Sequence, residues 1–312
     1  PAVGSGGDRA DQPDPSPCGP ATAAASGIIS TPITLITPIT PITRSTPITP
    51  RGEQRAEGQN TMSDVEPRLK AKPDWLDELG PVVEGPQAWH RPEPQTFEGR
   101  YCRLEPLSLD HHADDLWAQM AVADPEMRQW MFLAGLGPFE DQAAYIAAWQ
   151  QFSEAVDNLT YVVIPTDPAC GLPAVATGQF SFLRLRPAAG SVEVGFVRFP
   201  PQMARTRVST EAQYLLMAHV FDDLRYRRYE WKCNADNQPS MCTAERLGFT
   251  YEGTFRQDMI NHGRNRDTAW WSIIDSEWPV LKQAYQAWLD PSNFDAEGRQ
   301  HRRLADLIAG YR

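Results

Sequence analysis

The residues that could do chemistry lie mostly between Gln202 and Phe249. A short turn rich in Arg, Thr and Ser, Ala204-Arg205-Thr206-Arg207-Val208-Ser209-Thr210-Glu211-Ala212, opens an amphipathic stretch, and a strand and an Asn237-x-x-Ser240 helix start follow. The first amides of a helix have no intrahelical acceptor, and the helix dipole presents its positive end there. Arg205 and Arg207 add two guanidinium groups at the same place. Such a concentration of donors and positive charge suits a pyrophosphate better than a neutral ligand. The candidate phosphate contacts are Arg205, Thr206, Arg207, Val208, Ser209 and Thr210, with Arg207 expected to wrap its side chain around the phosphates.

Upstream of the turn, Glu193 stands inside an apolar run, Ser191 to Phe199. Desolvation raises the pKa of a carboxylate so placed, and the group can then take a proton from an ammonium ion, usually through a water. The competing reading is a residue on the open sheet face, paired with Arg184 or Arg198. Downstream, Asn237 can cap the helix whose first turn holds Pro239 and Ser240. The five cysteines are odd in number, widely spaced and never in a C-x-x-C pair, so reduced thiols are expected rather than a disulfide framework or a zinc site. Cys233 and Cys242 read as packing residues, His111-His112 lack a ligand set, and no metal is expected.

The elements that must hold these residues follow from periodicity. Strands are expected over 100–107, 159–164, 174–185, 191–199, 229–233, 250–255 and 267–274. Helices are expected over 110–120 and 139–152, from Ser209 through Leu224, from Asn237 to a left-handed Gly248, and after Trp278-Pro279, with a last one over 295–308. That order belongs to an α/β (α+β) sheet with helices on both faces, too irregular for a doubly wound nucleotide fold. The Trp270-Trp271 pair should straddle a strand, one ring in the core and one towards a cleft. Arg256, Asp258, His262 and Asp267 surround a hairpin that could border that cleft.

Composition is uneven. Residues 1–61 contain no Phe, Trp, Tyr or Met, and the tetrad Thr-Pro-Ile-Thr recurs at Thr31, Thr37, Thr40 and Thr46. This segment is expected to be disordered, as a Pro-rich stalk, a glycosylated spacer or translated sequence upstream of a start at Met62. Residues 62–96 read as an extended lead-in pinned by Trp75 and Trp89, with a compact domain over 97–278 and a helical cover over 279–312. A formal charge of −11 argues against nucleic-acid binding, and no apolar run is long enough for a membrane span. A cytoplasmic monomer or homodimer is expected, acting on amines or peptides.

Four segments in order, Val192-Glu193-Val194-Gly195-Phe196, Ser209-Thr210-Glu211-Ala212, Trp231-Lys232-Cys233-Asn234-Ala235-Asp236-Asn237-Gln238-Pro239-Ser240 and Glu245-Arg246-Leu247-Gly248-Phe249, resemble the GNAT N-acetyltransferases of the RimJ/RimL type. The resemblance spans roughly Phe97 to Trp278. It implies the GNAT fold, a mixed, mostly antiparallel sheet of about seven strands, and acetyl-CoA as donor to a primary amine. It also implies Glu193 as general base, strand amides at Phe196 or Val197 for the oxyanion, and Asn237 as a contact to the pantetheine arm. Where the family usually has Gln or Arg, then Gly, then Gly or Ala in the phosphate turn, this chain has Ala204, Arg207 and Ser209. Its frequent tyrosine acid is replaced by Ala244, leaving Ser240 or a water to protonate the thiolate. A GNAT-like module that binds CoA without transfer is the alternative.

Overall fold

The computed structural model describes residues 78–86, 88–124 and 126–312. The expectations for residues 1–61 and for Trp75 lie outside the described residues. Eight strands form one sheet in the order β1-β2-β3-β4-β5-β6-β8-β7. They are β1 Phe97–Glu98, β2 Cys102–Pro106, β3 Leu159–Pro165, β4 Gly178–Arg186, β5 Ser191–Arg198, β6 Arg228–Asn234, β7 Thr250–Asn261 and β8 Arg264–Ile274. Every neighbouring pair is antiparallel except β5 and β6, which run parallel.

Period-two alternation sorts the strand residues between two apolar layers. Tyr161 and Val163, Phe180 and Phe182, and Val192 and Val194 face the larger layer, whereas Val162 and Ile164 face the smaller one. Helices α1 (Leu109–Trp117) and α2 (Gln142–Ser153) cover the smaller layer with Leu116, Tyr145 and Trp149. Asp141 caps α2 by accepting from the Ala144 amide, so that helix starts three residues later than its pattern suggests. Helix α3 (Arg207–Ala218) is lengthened by a wide turn through Asp223 and packs on the larger layer with α4 (Gln238–Arg246), α5 (Trp278–Leu289) and α6 (Leu304–Tyr311).

Helix α5 buries Trp278, Leu281, Tyr285 and Trp288 in the main core. It is therefore a structural layer of the domain rather than a cover added to it. The last helix is shorter than expected. The Asp295 carboxylate accepts from the amides of Glu297 and Arg299, and this side-chain turn competes with helix formation before Leu304. The β7–β8 hairpin is longer than expected, because His262 and Gly263, both at positive φ, make a two-residue turn that lets pairing run to Asn261↔Arg264. Trp89 does pin the lead-in: it is buried, and its indole donates to Arg225 O at 2.6 Å. Among the described residues no helix is long and apolar enough to cross a membrane.

Candidate active site

The centre of the sheet contains a gap. Strands β5 and β6 pair from Ser191↔Arg228 to Val194↔Trp231 and then separate, β5 continuing along β4 and β6 continuing along β8. A bulge in β5 lies at the mouth of this gap. Ser181 pairs with Gly195 and Gln179 with Arg198, so Phe196 and Val197 together oppose Phe180 alone, and Phe196 takes φ +47°. Such a bulge leaves backbone groups outside the ladder. Phe196 and Val197 thus occupy the edge where an extended ligand could lie between the strands.

The turn after β5 leads to the α3 N-terminus. Arg205 has φ +62°, and Thr206 caps the helix by accepting from the Ser209 amide. The amides of Arg205, Arg207 and Val208 have no acceptor among the described residues. The other expected contacts are committed internally: the Ser209 and Thr210 hydroxyls both donate to Thr206 O, and the Thr210 amide does so too.

Arg207 does not wrap around the turn. Its guanidinium lies over the rings of Tyr101 and Phe294, 4.9 and 5.0 Å from their centroids, and 3.9 Å from Asp167. Two aromatic faces distant in sequence have captured the cation, which no local pattern reveals. In its place Arg246, from the last turn of α4, donates to Thr210 Oγ1 at 3.1 Å and stacks over Trp288. Burial lowers its pKa, with the nearby positive Arg205 adding to the effect, and among the described residues no carboxylate pairs with it. Two guanidinium groups therefore do stand at the turn, on Arg205 and Arg246.

Glu193 lies on the sheet face opposite the larger layer, since its neighbours Val192 and Val194 face that layer. Lys232 Nζ is 2.8 Å from its Oε2 and Arg184 Nε 3.7 Å; Arg198 is not a partner. Burial pushes the Glu193 carboxyl above its ordinary 4.5, and Lys232 and Arg184 pull against that rise. A Cβ added at Gly195 would sit 3.2 Å from Glu193 Oε1, so the carboxylate reaches the start of the bulge. Trp270 turns to this side beneath Lys232 and Arg184, while Trp271 is buried in the core. The groove beyond Trp270 has a volume of about 660 Å³ and is lined by Arg186, Arg228, Glu230, Glu252 and Phe255 among others. Arg256, Asp258 and His262 are exposed on the hairpin, and Asp267 binds the Gln257 amide, so these four form no site.

Asn237 caps α4 through a 3.2 Å bond from the Ser240 amide. Ser240 Oγ accepts from the Trp231 indole at 3.1 Å, which leaves its own proton to donate. Cys233 is buried in the apolar core, and burial pushes its thiol up, as befits a packing residue rather than a nucleophile. Glu211 also has a structural role: its carboxylate accepts from the amides of Arg100, Tyr101 and Cys102 and ties α3 to the start of β2.

Residues 102–250 match the acetyltransferase (GNAT) domain family. Among solved structures, a GCN5-related N-acetyltransferase from Brucella melitensis is 44% identical, covering 73% of this chain and 100% of that one with a TM-score of 0.68. A protein described as a probable acetyltransferase of the GNAT family, from Chromobacterium violaceum, is 35% identical, covering 64% of this chain and 96% of its own with a TM-score of 0.59. No curated protein matches the chain. The chain belongs to the GNAT family of acetyltransferases, and its eight-stranded sheet has the GNAT fold.

Proposed function

We propose that the chain moves an acetyl group from acetyl-CoA to a primary amine, either a protein N-terminus or a small-molecule amine, by direct attack without a covalent enzyme intermediate. The motif order quoted above supports the RimJ/RimL type. The observation that carries the reading is the position of the Glu193 carboxylate at the Gly195 bulge, where β5 and β6 part. Base and thioester site would then adjoin.

Acetyl-CoA supplies the activated acyl group, and the chain supplies position and proton traffic. The free amides of Arg205, Arg207 and Val208, with the Arg205 and Arg246 side chains, fit the pyrophosphate. The gap between β5 and β6 accepts the pantetheine arm, with the Asn237 side-chain amide as donor, and the amides at Phe196 and Val197 face the thioester carbonyl. Glu193 takes the proton of the incoming ammonium, and Ser240 gives a proton to the departing sulfur. Lys232 and Arg184 oppose the effect of burial on Glu193 and so favour the ionised form that accepts the proton.

The test combines calorimetry with thiol detection. CoA should raise the melting temperature, and acetyl-CoA should release free thiol in the presence of at least one amine of a panel of peptides and small amines. Binding without release on any amine would favour the CoA-holding module. No binding at all would remove both readings.

A further inference from the structure

Arg198 closes β5 and is 1% exposed. The bulge at Phe196 determines where it points. Strict alternation from Glu193 would turn Arg198 towards the larger layer, but the extra residue shifts the phase, so that Phe196 packs in the smaller layer and Arg198 lies on the Trp130 ring there. Its Nε, Nη1 and Nη2 all lack a hydrogen-bond partner.

The surroundings repeat this pattern. The side-chain amide nitrogen of Gln179, directly across the ladder, and the indole nitrogens of Trp130 and Trp149 are also buried without a partner. Tyr145 is committed to Gln179 Oε1 at 2.8 Å. Among the described residues Asp124 is the one acidic side chain that acts on Arg198 from nearby; it makes no ion pair with it, and its Oδ2 is taken by the Gln129 amide at 3.1 Å. Burial lowers the Arg198 pKa to about 9, still charged at neutral pH. A buried cation without a counter-ion is costly, and a layer that offers N–H donors with little to accept them matches an anion.

We infer that Arg198, with Gln179 and the indoles of Trp130 and Trp149, forms a buried pocket for one carboxylate-sized anion, and that the acceptor amine carries that carboxylate. The second half rests on the acetyl transfer proposed above; the first does not. Four residues of bulged strand separate Glu193 from Arg198, about 13–16 Å along the chain before either side chain reaches out. An acceptor that spans them holds its carboxylate several bonds from its amine, as in a short peptide or a long amino acid.

Two measurements decide the matter. In the first, acetate replaces sulfate at constant ionic strength while tryptophan fluorescence is followed. Native protein should respond saturably, Arg198→Lys more weakly and Arg198→Met not at all. No saturable response in native protein, or an equal response in Arg198→Met, overturns the pocket. In the second, amino acids of graded chain length and short peptides are compared with their carboxamides as acetyl acceptors. The best carboxylate should have a KM at least tenfold below that of its carboxamide, and Arg198→Met should erase the difference while changing the acetyl-CoA KM less than twofold. A saturable response without any KM preference overturns the acceptor assignment and leaves a free small anion as the occupant. If no amine is acetylated the proposed function falls, and the fluorescence result still decides the pocket.

Discussion

Glu193→Gln removes the proposed base while keeping its shape and one oxygen for Lys232. A positioned general base contributes about 10²- to 10⁴-fold, so kcat should fall by that factor, equivalent to about 2.7–5.4 kcal/mol of barrier. Stability should suffer less. Lys232 is 17% exposed and Arg184 44% exposed, so both cations can turn towards water. The loss should then be about 1 kcal/mol rather than the roughly 3–5 kcal/mol of a broken, fully buried pair. Thiol release followed from about pH 5 to 9 adds a signed test. Burial holds the Glu193 carboxyl above 4.5, so the acid limb of kcat/KM should lie above that pH and vanish in Glu193→Gln. Lys232→Met removes the strongest influence pulling that pKa down, so the limb should move to higher pH while the plateau persists. The same upward shift means that the folded protein holds this proton more tightly, and stability contributed by Glu193 is lost as pH rises above 4.5. A Glu193→Gln rate within threefold of native, or a Lys232→Met limb displaced to lower pH, would refute the reasoning.

Three further outcomes separate functional from structural roles. Arg205→Glu and Arg246→Gln should each weaken CoA binding about tenfold or more in a calorimetric titration, since each removes a charge-assisted contact, whereas Arg207→Met should leave CoA affinity within about threefold. Glu211→Ala should orphan the two buried amides of Tyr101 and Cys102 at about 1–3 kcal/mol each and release the part-buried Arg100 amide, and the melting temperature should fall by at least about 4 °C; a smaller fall would mean that water replaces the carboxylate. Ser240→Ala should lower kcat while sparing the acetyl-CoA KM, and Cys233→Ala should retain the native rate; loss of activity in Cys233→Ala would reopen a thiol mechanism.

Local chemistry was legible and distant packing was not. Asn237 caps α4 as its place before Pro239 suggests, and Gly248 takes φ +92° at the end of that helix, whereas the cap at Thr206 emerged only from the structure. The apolar run around Glu193 likewise announced a buried carboxylate. Its partner Lys232 was harder to see, because the pairing depends on β5 and β6 running parallel in register. Arg246, for which no role was expected, takes the place expected of Arg207 for a similar reason. Tyr101 and Phe294 each lie far along the chain from Arg207, one before it and one after, and Arg246 reaches Thr210 only once α4 is docked. Gly195 stands at the start of the bulge, but the residue at positive φ is Phe196, and the strand pattern alone did not show that the phase shifts and Arg198 turns inward.

The most direct measurement of the central claim is a crystal structure with CoA bound. The account predicts the pyrophosphate within hydrogen-bonding distance of the Arg205, Arg207 and Val208 amides, with the pantetheine arm in the gap that opens beyond the Val194–Trp231 pair. CoA bound elsewhere, with that gap closed by direct pairing of β5 to β6 beyond Trp231, would contradict it.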